Sequence, residues 1–154
     1  MSQIEQLFAP ILDFLSNNPV DTQLAYRLSK NFPLSSSLIQ QIRQWSIEGV
    51  HNGTIRMRGP QSLRFGNLLH QKRSAFPFRI DIVDMSGVGP GHLHPLGEVN
   101  LCFTTTNEGT GLTSFDGISE GWVVKQPNSW HKPTVRHGRM IIIYFLPQGK
   151  VVFD

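Results

Sequence analysis

One cysteine, Cys102, stands in the 154-residue chain, so no intrachain disulfide can form and a reducing compartment is expected. Charged residues are few, at 16%, and scattered: the formal net charge is +3 and no block of Lys or Arg occurs. A nucleic-acid partner needs a concentrated basic face, so none is expected. Long apolar runs are missing too. None approaches the roughly 20 residues that cross a bilayer, and the greasiest stretch, 141–146, suits a buried strand. The first residues, Met-Ser-Gln-Ile-Glu-Gln, show neither the basic nor the apolar part of an export signal. A cytoplasmic protein without a membrane partner is the expectation. The sequence shows no internal repeat and no low-complexity segment.

Hydrophobic residues make up 39% of the chain, enough for one core and too many for a disordered chain. The first third reads as helical. Ile4, Leu7, Phe8, Ile11, Leu12 and Leu15 recur at helical spacing until Asn17-Asn18-Pro19. Asp21 is placed to cap a second helix bearing Leu24, Ala25 and Leu28, and Ser35 to Ser37 to cap a third bearing Leu38, Ile39, Ile42, Trp45 and Ile47. Gly49 is expected near its end, and Asn52-Gly53 marks a turn. Most of the 14 glycines and 10 prolines follow Asn52, which favours short strands and frequent turns. The strands predicted there are 55–58, 63–69, 79–85, 99–105, 112–115, 122–125, 139–146 and 151–153, a pattern of an all-β sandwich or barrel.

Chemistry concentrates in Gly89-Pro90-Gly91-His92-Leu93-His94-Pro95-Leu96-Gly97-Glu98-Val99-Asn100. Side chains alternate along an extended segment, so His92 and His94 share a face, and the Pro-Leu-Gly bend returns Glu98 to it. Two imidazoles and a carboxylate suit a divalent first-row metal and leave room for a further ligand and for water or substrate. His131, after the turn Gln126-Pro127-Asn128, is the candidate fourth ligand, and Asn128 tolerates the positive φ such a turn can need. His51, His70 and His137 are isolated and read as surface or hydrogen-bonded histidines. Cys102 reads as a small buried hydrophobe.

These two segments resemble the paired motifs of the cupin superfamily, with Gln126 where proline is usual and Asn128 where glycine is usual. A closer resemblance runs through nearly the whole chain. Gly-Pro-Gly-His-Leu-His-Pro-Leu-Gly-Glu-Val-Asn, Phe115-Asp116-Gly117, Gly121-Trp122-Val123-Val124, His131-Lys132-Pro133-Thr134-Val135, Tyr144-Phe145-Leu146-Pro147-Gln148-Gly149 and the helical start with Asn31-Phe32-Pro33 are similar to the 4-hydroxylaminobenzoate lyase family of small cupins. The resemblance implies an α+β, mainly β fold: one cupin-type jelly-roll barrel (53–154) preceded by about three helices packed on it (1–52). It implies conversion of 4-hydroxylaminobenzoate and water to protocatechuate and ammonium, and His92, His94, Glu98 and His131 as ligands of a divalent metal among Fe, Mn, Ni, Zn and Co.

Glu98, His131 and Asn100 are then the residues closest to the reaction. Asn100 stands where that family leads one to expect an acidic residue, and alternation turns it inward with Glu98 and Cys102. A carboxylated substrate calls for an arginine: Arg64 is the first choice, Arg79 the second. Phe65, Phe103, Phe115 and Tyr144 are candidate walls for the ring, and Trp130 for the mouth. The partners expected are a small aromatic substrate and a second copy in a homodimer. The competing readings are a metal-dependent dioxygenase or isomerase and a non-catalytic small-molecule-binding cupin.

Overall fold

The computed structural model describes residues 2–109 and 111–153. Three helices come first: α1 (Gln3–Ser16), α2 (Leu24–Asn31) and α3 (Ser37–Asn52). The Ser2 hydroxyl accepts from Glu5 N at the start of α1, and the Ser36 hydroxyl accepts from Ile39 N at the start of α3. Each satisfies an amide the helix itself cannot. Asp21 does not cap α2 directly. That helix starts at Leu24 without a side-chain cap, and the Asp21 carboxylate instead accepts from Gln23 N at 2.9 Å in the turn before it. Gly53, at φ 83°, closes α3 in the left-handed conformation that glycine adopts without cost.

Nine strands follow: β1 (Leu63–Leu69), β2 (Phe78–Val88), β3 (His92–His94), β4 (Glu98–Asn107), β5 (Ser114–Phe115), β6 (Gly121–Lys125), β7 (Ser129–His131), β8 (Thr134–Pro147) and β9 (Val152–Phe153). The larger, antiparallel sheet runs β1-β2-β8-β4-β6, with β5 added to β8, and the smaller runs β7-β3-β9. Alternation divides the large sheet cleanly. Ile80, Ile82, Val99, Leu101, Phe103, Ile141, Ile143 and Phe145 form one core with Phe8, Ile11, Leu12, Leu24, Leu28, Ile39 and Ile42 of the helices. Val83, Met85, Cys102, Val123, Ile142, Tyr144 and Leu146 face the other way, into the barrel. The helices are therefore the cover of one sheet face, and the small sheet faces the other.

The expected strand at 55–58 does not form. Ile55 is instead tied to the end of α3 (Ile55 N to Gly49 O, 2.9 Å), and only Arg58 pairs, in an isolated bridge to Phe65. Gly59 (φ 108°) and Pro60 turn the chain before a ladder can extend. The strand expected at 112–115 shortens to Ser114–Phe115, with Leu112 exposed. The one expected at 139–146 lengthens to Thr134–Pro147, passing through His137 and Gly138, both at positive φ.

A candidate metal centre

The bend between β3 and β4 depends on Gly97. Its φ is 88°, and a Cβ there would lie 2.7 Å from Val20 and 3.0 Å from the Lys125 carbonyl. This tight turn brings Glu98 back beneath His92 and His94. The second turn, Gln126 to Ser129, has Pro127 followed by Asn128 at φ 64°, closed by Ser129 N to Gln126 O at 3.2 Å. That is the type II pattern, for which Asn is an accepted substitute for Gly. It leads into β7, whose His131 pairs directly with His92 of β3. The fourth histidine thus arrives, after the turn, on the adjacent strand of the same small sheet.

The four side chains converge. One donor atom from each of His92, His94, Glu98 and His131 lies within 4.8 Å of every other. The Nε2 atoms of His92 and His131 are 3.2 Å apart, and Glu98 lies 3.1 Å from His94 Nε2 and 3.4 Å from His92 Nε2. All but His131 are almost wholly buried.

The outer nitrogens explain what the inner ones carry. His92 Nδ1 is 3.2 Å from the Pro90 carbonyl, which can only accept. His94 Nδ1 is 3.1 Å from Ser129 Oγ, whose own proton goes to the Gln126 carbonyl at 2.6 Å. His131 Nδ1 is 2.5 Å from the Asp116 carboxylate. Each ring therefore donates outward from Nδ1 and holds its Nε2 lone pair toward the centre. Lone pairs facing one another and a carboxylate repel unless a proton or a cation lies between them. Consistently, His94 Nε2, Glu98 Oε1 and Asn100 Oδ1 are buried with no hydrogen-bond partner among the described residues, although His94 Nε2 lies close to Glu98. Three orphaned polar atoms in one cluster are costly. A cation bound between the rings and the carboxylate would satisfy the first two, so the residues present fit a metal.

Asp116 was not among the expected site residues. It sits at φ 50° before Gly117 at φ 85°, in a two-residue hairpin turn between Phe115 and Ile118. Its carboxylate also takes Lys125 Nζ at 2.8 Å and Thr134 N at 2.8 Å. The signal available in the sequence was the Asp-Gly pair, a turn marker that says nothing of what the Asp side chain reaches. Burial works to raise the Asp116 pKa, but His131, Lys125 and Thr134 N hold it below the usual carboxylate value. Burial likewise opposes ionisation of Glu98, and the three histidines outweigh it, holding Glu98 well below its ordinary range. Burial lowers the His131 pKa, yet Asp116 and Glu98 more than compensate and raise it.

A cavity of about 530 Å³ opens onto His92 and Glu98. It lies beside β1 and β9, one edge strand of each sheet. Tyr144 lines it, opposite Asn100 in register, and its hydroxyl has no hydrogen-bond partner among the described residues. Burial first, and then the Glu98 charge, pushes the Tyr144 pKa well up, so the phenol stays protonated. Phe115 is fully buried behind His131, ring centroids 6.0 Å apart, and does not line the cavity. Phe103 faces the helices, and Trp130 projects from the side of β7 opposite His131. Of the expected walls Phe65 and Tyr144 line the cavity, and Phe153 joins them. Arg64 also lies elsewhere. It is bound to the buried Asp84 at 2.5 Å, on the side of β1 opposite Phe65, whereas Arg79 and Arg58 line the cavity. Cys102 is buried in the barrel, which pushes its thiol pKa well up and leaves it unreactive.

A barrel-like pair of sheets, with His-x-His, a returning Glu and a fourth histidine on the next strand, defines a cupin-type protein with a cluster that could hold a metal. Within that class the chain belongs to the 4-hydroxylaminobenzoate lyase family, whose model (PnbB) matches residues 6–153. The 4-hydroxylaminobenzoate lyase of Nocardioides sp. (strain LMS-CY) is 30% identical over 153 residues, covering 94% of this chain and 89% of that protein. A Pseudomonas putida protein of the same name is 28% identical over 173 residues, covering 100% and 97%. Similar solved structures include an RmlC-like cupin from Ralstonia eutropha JMP134 (10% identity, TM-score 0.46, 64% of each chain). Another is the DMSP lyase DddQ from Ruegeria pomeroyi DSS-3 (14% identity, TM-score 0.43, 97% of this chain and 94% of that one). Among the described residues no helix is long and apolar enough to cross a membrane.

Proposed function

We propose that the protein is a lyase that converts 4-hydroxylaminobenzoate, or a related aryl hydroxylamine, and water to protocatechuate and ammonium. The observation that carries this is the inward convergence of three imidazole lone pairs and the Glu98 carboxylate at the end of an aromatic-walled cavity, in a chain of this family. His92, His94, Glu98 and His131 would hold a divalent ion, and this donor set suits Fe, Mn, Ni, Zn or Co. When bound, such an ion would supply Lewis acidity toward the hydroxylamine oxygen or a bound water of lowered pKa.

The surrounding residues have distinct tasks. Glu98 and His131 serve the reaction as ligands. Asn100 donates to Glu98 Oε2 at 3.3 Å, which orients the carboxylate, and its own Oδ1 is buried behind the cavity without a partner among the described residues. Tyr144, protonated and without a partner among the described residues, offers a hydrogen-bond donor to the substrate space. Phe65, Phe153 and Leu146 give the ring apolar contact and keep bulk water from it. The helical segment braces the site from behind: Val20 packs at Gly97, and the Asp21 carbonyl accepts from Gln126 Nε2 at 2.9 Å. The enzyme is taken as a cytoplasmic homodimer, on the base rate of closed symmetric pairs and on its single cysteine.

The test is ammonium release from 4-hydroxylaminobenzoate, followed together with oxygen uptake, on protein of known metal content. Release without oxygen uptake is expected. Oxygen-dependent turnover would replace this reading with a dioxygenase, and binding without turnover would leave a binding protein.

A further inference from the structure

The cavity has two chemical characters. Its lining joins His92 and Glu98 of the candidate metal centre to two arginines, Arg79 and Arg58. Arg79 projects from β2 into the cavity, and its Nε donates to Asp81 at 3.0 Å. Asp81 is itself fixed by Asn67 Nδ2 at 2.9 Å. That pair sets the plane of the guanidinium and leaves both terminal nitrogens of Arg79 without a partner among the described residues. Arg58 joins the sheet edge only through its backbone bridge to Phe65, and its guanidinium also has no partner among the described residues. Asp81 is the one carboxylate paired with them, so one positive charge on this part of the lining is uncompensated.

The register sets the spacing. Arg79 of β2 lies opposite Leu146 of β8, and Val99 opposite Phe145 places Glu98 next to Leu146 on the other side. Arg79 and Glu98 thus flank Leu146 at two strand spacings, about 10 Å between backbones. That leaves room for one six-membered ring, lying on Leu146 and Tyr144. A guanidinium with both terminal nitrogens free is the donor that planar carboxylates take bidentately.

We infer that Arg79, assisted by Arg58, forms an anion subsite that binds the carboxylate of an aromatic acid whose opposite end lies at His92 and Glu98. For the chemistry at that opposite end it rests on the function proposed above. The subsite itself rests on the cavity geometry.

Calorimetry with two unreactive probes tests this on the metal-loaded protein: 4-aminobenzoate and its neutral amide, 4-aminobenzamide. Neither has an N–O bond to break. The carboxylate should bind more tightly than the amide. Arg79→Gln should weaken 4-aminobenzoate on the order of tenfold or more and leave the amide unchanged. Arg58→Gln, at an exposed residue, should act in the same direction but less. Arg73→Gln, on an exposed turn outside the cavity, should change neither. Equal affinity of wild-type protein for the two probes would overturn the subsite, and so would equal losses for both in the arginine variants. Should Arg79→Gln fail to fold, the wild-type comparison and Arg58→Gln still decide. A protein that releases no ammonium yet prefers the carboxylate retains the subsite and loses the lyase activity. One that turns over but does not distinguish the probes retains the activity and loses the subsite.

Discussion

The helix-facing and barrel-facing sides of the large sheet are made from the same strands, one residue out of phase, yet they differ in kind. On β4, Val99, Leu101 and Phe103 meet the helices, while Glu98, Asn100 and Cys102 face the barrel. On β8, Ile141, Ile143 and Phe145 alternate with Ile142, Tyr144 and Leu146. Over these stretches the helix side is apolar. The barrel side buries a carboxylate, an amide and a phenol and leaves some of their polar atoms unpaired. Unpaired buried polar groups cost about 1–3 kcal/mol each. A fold bears that cost where a ligand relieves it. The helices, by covering the other face, supply the apolar burial that offsets it.

Single substitutions can break or sharpen this contrast. The largest effect is expected at the barrel side: His94→Ala should abolish stoichiometric metal binding, read by elemental analysis, and turnover with it. On the helix side, Phe145→Ala should cost about 3–5 kcal/mol of stability in denaturant unfolding, because Phe145 packs between Phe8 and Trp122 at 5.7 and 6.0 Å. Metal content per folded chain should not change. If Phe145→Ala lost metal while keeping its stability, the division of labour between the faces would be wrong.

Asp116→Asn comes next. It keeps the shape but removes the charge behind His131, and metal affinity should fall about 10–100-fold. The pH dependence sharpens the point. In metal-free protein the raised His131 pKa contributes stability that is present at low pH and lost as pH rises through that value. The depressed Asp116 pKa contributes stability that is lost as pH falls through it. Metal competes with the His131 proton, so affinity should climb as pH rises through the raised His131 pKa and then level off. Asp116→Asn should move that rise to lower pH. An unmoved profile would reduce Asp116 to a turn residue. Smallest of all, Ser36→Ala should remove a helix cap, cost about 1 kcal/mol and leave metal content unchanged.

How much of this could be read in the sequence follows from the range of each signal. His92, His94 and Glu98 were legible because strand alternation and one short bend are local properties. The helical third and most strands were legible for the same reason. The strand at 55–58 was not, because Ile55 is held by α3, a contact no local pattern records. In the sequence Arg64 ranks ahead of Arg79 as the carboxylate-binding candidate. Only the pairing of Arg64 with Asp84 across β1 and β2 shows which face each takes. Asp116 reaches His131 across fifteen residues of chain, so its role was invisible until β5, β6 and β7 were assembled. Phe153 escaped because β9 closes on β3 only in the folded sheet, ring to ring with His92 at 5.3 Å.

The most direct measurement is ammonium release from 4-hydroxylaminobenzoate by protein stripped of metal, with the stripping verified by elemental analysis, before and after a divalent metal is restored. The expected result is no release from the stripped protein and recovery as occupancy approaches one ion per chain. Full turnover by verified metal-free protein would contradict the central claim that His92, His94, Glu98 and His131 converge to hold a catalytic metal.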